Sequence, residues 1–178
     1  MNKYYGIIVS TIAGFSTLLG YFFIYIKGNK NNIISKSLSF AGGVMITLSL
    51  IDLIPSSITN LNINYNSNIS IIYTLLFFFI GFFLTHILEK KFSNEDTLYK
   101  TGLVSMLGII IHNIPEGIAT YVLSSIDLKL GILLGIAIIL HNIPEGIGIS
   151  IPIYYSTNNK KKALLYTFIS GISEPFGA

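Results

Sequence analysis

One heptapeptide occurs twice in this sequence, and it contains residues of the types that bind metals. His-Asn-Ile-Pro-Glu-Gly-Ile runs from His112 to Ile118 and again from His141 to Ile147, 29 positions further along the chain. Helix packing requires neither an imidazole nor a carboxylate, so a duplicated packing motif does not explain these polar residues. Imidazole and carboxylate groups are ligands of divalent transition metals. The repeat therefore predicts a metal site.

Helical spacing places the polar residues of each copy around its glutamate. At about 100° per residue, His112 and Glu116 lie about 40° apart on one helix face, and Asn113 lies about 60° away on the other flank. The second copy repeats this arrangement with His141, Asn142 and Glu145. Each carboxylate could thus bridge two ions, one on its histidine side and one on its asparagine side.

The rest of the sequence predicts membrane-spanning helices that position the two copies. The chain is 52% hydrophobic and 11% charged, whereas soluble domains have about 25% charged residues. Its apolar residues fall in blocks of about 20, enough to cross a hydrocarbon layer of about 30 Å. We predict an all-α polytopic membrane protein in which residues 1–178 form a single transmembrane domain. Its six helices run over Tyr4–Ile26, Lys36–Ile58, Ile69–Glu89, Thr101–Leu123, Leu130–Tyr154 and from Ala163 to the C-terminus.

The lysines predict the orientation of these helices. All eleven basic residues are lysine, and nine of them follow the first, third or fifth predicted helix. By the positive-inside rule this side is cytoplasmic, which places the N-terminus outside. The nine are Lys27, Lys30, Lys36, Lys90, Lys91, Lys100, Lys160, Lys161 and Lys162.

The two copies of the motif are expected to meet near the middle of the membrane. Helices four and five are antiparallel, His112 and His141 lie near their centres, and Glu174 lies at a similar depth in helix six. Pro115, Pro144 and Pro175 each remove a helical N–H beside these glutamates, a feature tolerated where a helix lines a site. An unpaired ionisable group at this depth costs about 2.5–3.5 kcal/mol or more.

Apart from Lys36, the first residue of the second helix, no lysine lies inside a predicted span, so a divalent cation is the simplest partner for three carboxylates. The ligand types favour Zn²⁺, Fe²⁺, Mn²⁺ or Co²⁺ over Ca²⁺ and Mg²⁺. The absence of cysteine excludes thiolate ligands.

These motifs resemble those of the ZIP family of divalent-metal transporters, in its compact bacterial branch. Besides the two heptapeptides, the second helix from Ser39 to Pro55 and the segment Glu174-Pro175-Phe176-Gly177-Ala178 match. The resemblance implies an eight-helix carrier with both termini outside, often a homodimer, that moves metal into the cytoplasm across a bacterial plasma membrane. Against that pattern we expect that helices seven and eight are missing from this chain. Zn²⁺ is the expected substrate, with iron, manganese, cobalt and Cd²⁺ as further candidates.

The resemblance also implies two metal positions that share two glutamates. The first comprises Met45, His112, Glu116 and Glu145. The second comprises Asn113, Glu116, Asn142, Glu145 and Glu174. His141 either lies in the pathway or orients a neighbour.

Two other functions remain as alternatives: a membrane-embedded metalloenzyme and a metal sensor that does not transport. The sequence lacks a His-Glu-x-x-His motif, which argues against an enzyme. We expect lipid and metal ions as partners, no resident cofactor and no nucleic acid. Among other polar residues, Asp52 has either an interfacial or a metal-pathway role, and His86 is expected to be interfacial. Four glycines are expected to permit close helix contacts: Gly14, Gly20, Gly42 and Gly43.

Overall fold

The computed structural model describes residues 3–178, which form six helices and contain no strand. Five of the helices are long and apolar enough to cross a membrane. The sixth has 18 residues and is not among those five. Their bounds are α1 Lys3–Tyr21, α2 Lys30–Leu61, α3 Ser67–Lys91, α4 Thr97–Ile126, α5 Leu128–Thr157 and α6 Lys160–Gly177. The prediction of an all-α polytopic membrane protein is confirmed.

Several helices begin earlier than hydropathy predicts, because polar side chains cap them. The Asp96 carboxylate accepts hydrogen bonds from the backbone N–H groups of Leu98 and Tyr99, at 3.0 and 3.1 Å, and starts α4. Asp127 starts α5 in the same way. Hydropathy marks only the part of a helix that lies in hydrocarbon, whereas the helix itself extends to the residue whose side chain satisfies its free N–H groups.

Helix α2 contains a local irregularity that sequence analysis does not predict. It is α-helical over Lys30–Leu48, π-helical over Ser49–Leu53 and α-helical again over Ile54–Leu61. Pro55 lies in the first turn after the π segment. The missing proline N–H disfavours the regular ladder there, and π-helical turns are frequent at functional sites.

Four helices form the packed part of the molecule. Helices α1, α4, α5 and α6 pack against one another, and α2 packs on α5. Among the described residues, helix α3 packs mainly against α4 and the end of α2, and most of its large apolar side chains are exposed. The bundle of α1, α4, α5 and α6 therefore holds both copies of the heptapeptide, whereas α3 presents an apolar surface suited to lipid.

Two of the lysines predicted to share one side lie together at one end of the bundle. Lys160 stacks on the ring of Tyr25 at 4.4 Å, and Lys162 stacks on the ring of Tyr99 at 4.2 Å. These contacts join the 3₁₀ turn Phe22–Tyr25, which follows α1, to the beginnings of α4 and α6. We call this the lysine-rich end, and the positive-inside rule predicts that it faces the cytoplasm.

Candidate metal centre

The two copies of the heptapeptide meet at the carboxylate of Glu116. Its Oε1 lies 3.2 Å from Nε2 of His112, one turn earlier on α4, and 3.0 Å from Nε2 of His141 on α5. The predicted pairing of His112 with Glu116 on one face is thus present. The contact with His141 joins the two helices, which helical spacing alone does not predict.

Glu145 completes a compact group of ligand atoms. One of its oxygens lies 3.7 Å from Nε2 of His112. His112, His141 and Glu145 each offer one ligand atom, and these atoms all lie within 4.8 Å of one another. That spacing is compatible with a shared ion, since metal–ligand distances of about 2.0–2.2 Å leave ligands 3–4 Å apart.

The two asparagines are anchored through their amide nitrogens. Nδ2 of Asn142 donates to the backbone oxygen of Ala13 on α1, at 2.8 Å, and to Oε2 of Glu174 on α6, at 2.9 Å. Nδ2 of Asn113 donates to the backbone oxygen of Ser170, at 3.2 Å. With the nitrogens so held, the amide oxygens remain available as ligands, and α1 and α6 orient them.

Several oxygens of this cluster are buried without a hydrogen-bond partner. Such groups are uncommon in native proteins, because each loses its hydration with no replacement. Glu145 is 1% exposed and Glu174 0%, so water cannot readily serve both. Within residues 3–178, the only lysine–carboxylate ion pair joins Lys100 to Glu89, far from the cluster along α4. The partnerless oxygens are Asn113 Oδ1, Glu116 Oε2, Asn142 Oδ1, Glu145 Oε1 and Oε2, and Glu174 Oε1.

The glycines of the heptapeptides allow the helices to approach. A methyl group on Gly117 would collide with the backbone oxygen of Glu174, and one on Gly146 would collide with the backbone oxygen of Thr17. Gly14 and Gly20 also lie against neighbouring backbone, as predicted. The same prediction is wrong for Gly42 and Gly43 within the described chain, because no atom lies within 4 Å of a methyl group built there. At this level of α2 the neighbouring Ala41 is the buried residue.

Two cavities lead to the cluster from opposite ends, and Met45 lines both. The outer cavity, of about 220 Å³, includes His112, Glu116 and His141 in its walls. The inner cavity, of about 420 Å³, includes Glu145 and extends toward the lysine-rich end. Met45 therefore lies where the two cavities meet, beside the cluster.

The structure also locates residues whose roles were open in the sequence. Asp52 belongs to the π-helical segment and lines the outer cavity together with the histidines. No periodic signal marks it, and an acidic residue beside Pro55 is the sequence feature that points to it. His86 is exposed on α3 and lines neither cavity.

Comparisons with known proteins identify the family. The profile of the ZIP zinc transporter family matches residues 91–178. The zinc transporter ZupT of Streptococcus mutans is 38% identical over 96% of this chain and 71% of its own length. The ZupT proteins of Campylobacter jejuni and Clostridium perfringens are 35% and 34% identical, over 72% and 74% of their own lengths. No solved structure shows a significant match. The chain thus belongs to the ZIP zinc transporter family.

Proposed function

We propose that this chain carries Zn²⁺ across a bacterial plasma membrane into the cytoplasm, through a two-metal site between α4, α5 and α6. The observation that carries the proposal is the set of partnerless buried oxygens beside two histidines. The relatives are named zinc transporters, which favours Zn²⁺ as the substrate. Iron, manganese, cobalt and cadmium are candidates on ligand chemistry alone.

We assign the first metal position to a mixed ligand set. Its members lie around the meeting point of the two cavities, so an ion there is accessible from either end. His141, which touches Glu116, is a further ligand or orients that carboxylate. The assigned ligands are Met45, His112, Glu116 and Glu145.

The second position is assigned to oxygen ligands alone. Each of its residues has a buried oxygen without a partner, and Asn142 and Glu174 are hydrogen-bonded to each other. Glu116 and Glu145 belong to both positions, so the two ions would be bridged. The assigned ligands are Asn113, Glu116, Asn142, Glu145 and Glu174.

Electrostatics explains how such a site could serve passage across the bilayer. A bare divalent cation is excluded from hydrocarbon by the loss of its hydration, and the carboxylates replace that hydration at mid-depth. The carboxylates in turn lack any lysine partner nearby and need the cation. One bound Zn²⁺ therefore compensates two of the three carboxylate charges and a second compensates the third, and cavities on both sides provide routes for arrival and release.

The alternatives differ in what they require. The family is one of transporters, so an embedded metalloenzyme has no support among the relatives. A metal sensor would bind zinc through the same ligands without flux, so only a flux measurement separates it from a carrier.

We further propose that residues 1–178 act as a single transporter domain and that the protein works as a homodimer. Cross-linking in membranes would test the homodimer.

The test is uptake of radioactive zinc into metal-starved cells that express the chain. We expect a Glu116→Ala/Glu145→Ala double variant to abolish uptake. A matched control, Glu89→Ala/Glu95→Ala, removes two carboxylates outside the cluster and should retain uptake. If the wild type binds zinc when purified but moves none, the carrier proposal fails and the sensor is favoured.

A further inference from the structure

A groove at the lysine-rich end of the molecule is separate from the metal centre. It lies between the segment that follows α1 and the first half of α2 and has a volume of about 420 Å³. Its floor includes Ile147 of α5, which is fully buried within the protein. The groove shares no lining residue with the outer or inner cavity, so the proposed transport path does not account for it.

The polar part of the groove is cationic. Lys27 and Lys36 line it together with Asn29 and Asn32, and no carboxylate is among its lining residues. Neither lysine forms an ion pair with a described carboxylate. Oδ1 of Asn29 is occupied in capping α2, which leaves its amide N–H groups as donors. The rim therefore offers positive charge and hydrogen-bond donors but no negative charge.

The remaining walls of the groove are apolar. Phe23, Ile26, Ile33 and Phe40 line it, and Phe40 is about half exposed. Phe40 lies one helical turn beyond Lys36, further from the lysine-rich end and deeper in the predicted membrane. The groove is thus cationic where the lipid headgroups lie and apolar where the acyl chains begin.

We propose that this groove binds one anionic phospholipid of the cytoplasmic leaflet. The phosphate would lie at Lys27 and Lys36, and an acyl chain would lie along Phe40 toward Ile147. Basic pockets between transmembrane helices on the cytoplasmic side are suited to anionic headgroups, whereas zwitterionic lipids leave the lysines without a net counter-charge. Lipid binding here depends on the orientation of the helices, not on whether the metal centre transports.

The test is native mass spectrometry of the purified chain with phosphatidylglycerol or phosphatidylcholine. We expect retained phosphatidylglycerol, with little phosphatidylcholine, in the wild type. A Lys27→Gln/Lys36→Gln variant should lower the phosphatidylglycerol affinity about 30-fold, at the usual contribution of about fivefold per lysine near an anionic surface. The matched control, Lys90→Gln/Lys91→Gln, removes two exposed lysines of the same end outside the groove and should retain the lipid.

Two results would overturn the proposal. One is equal affinity for the two lipids in the wild type. The other is equal loss of phosphatidylglycerol in both double variants, which would mean that only the net charge matters. A Phe40→Ala variant adds an independent check, since it leaves the charge unchanged and should shorten lipid retention by removing a wall of the acyl-chain part. All variants should keep the wild-type thermal midpoint in phosphatidylcholine, which shows that they are folded.

Discussion

The close approach of α4 and α6 at Gly117 leads to a sharp prediction for a Gly117→Ala variant. The added methyl group would overlap the backbone oxygen of Glu174 and lie 2.9 Å from the carbonyl carbon of the same residue. A backbone group cannot rotate away, so α6 must shift. Glu174 would move with it, away from the amide of Asn142 that holds its carboxylate.

The size of the effect follows from comparison with Gly108 on the same helix. A methyl group there meets no atom within 4 Å. Both substitutions gain the helix propensity of alanine, up to about 1 kcal/mol, so this gain cancels between them. The remaining difference is the overpacking at Gly117, about 1–3 kcal/mol. For a chain of this length that corresponds to a thermal midpoint about 3–10 °C lower for Gly117→Ala than for Gly108→Ala.

The assay is thermal unfolding of both variants in the same detergent, followed by zinc binding to the folded proteins. We expect Gly117→Ala to have the lower midpoint and weaker zinc binding, and Gly108→Ala to match or exceed the wild-type midpoint. Equal midpoints for the two variants would refute the reasoning, because the contact between Gly117 and Glu174 would then not limit the packing of α4 against α6.

Three further predictions test the site and the orientation. An Asn142→Asp variant replaces an N–H donor to the Glu174 carboxylate by a second acceptor. We therefore expect the free energy of unfolding to fall by about 1–3 kcal/mol, which a thermal unfolding assay would measure. Wild-type stability of this variant would contradict the hydrogen bond. A Met45→Leu variant keeps the side-chain volume but removes the thioether, which is a ligand suited to soft metals. Inhibition of zinc uptake by Cd²⁺ should therefore weaken more than inhibition by Mn²⁺. If both ions inhibit the variant as they inhibit the wild type, Met45 is not a ligand. The chain has no cysteine, so single cysteines introduced into its loops report the orientation. An Asn64→Cys variant, in the loop between α2 and α3, should react with an impermeant maleimide on intact cells, whereas Ser93→Cys, in the loop between α3 and α4, should react only after lysis. The opposite pattern would show that the orientation is inverted.

The helices and their order could be predicted from the sequence, because hydrocarbon imposes a simple requirement on it. A spanning segment must be apolar over about 20 residues, and the lysines mark one side. The structure differs mainly at helix ends, as at Asp96 and Asp127. Helix caps depend on individual hydrogen bonds, to which an average over hydropathy is insensitive.

The residues of the candidate site could also be predicted from the sequence, but not how their side chains are arranged relative to one another. An exact repeat with an imidazole and a carboxylate one turn apart already implies metal binding. Three features are invisible to that pattern: the contact of His141 with Glu116, the anchoring of Asn142 to Ala13, and the π-helical segment that carries Asp52. Each depends on how one helix packs on another or on how a helix departs from regularity.

The sequence by itself determined that this protein lies in the membrane and which residues could bind a metal, and it predicts which side its lysines face, because those properties follow from residue type and helical period. Only the tertiary structure decided which oxygens remain without partners, where Met45 lies between two cavities, and how closely Gly117 lets α6 approach α4. The physical reason is that these outcomes are set by contacts between residues far apart in the chain. Periodicity along one helix contains no information about the rotation and approach of its neighbours.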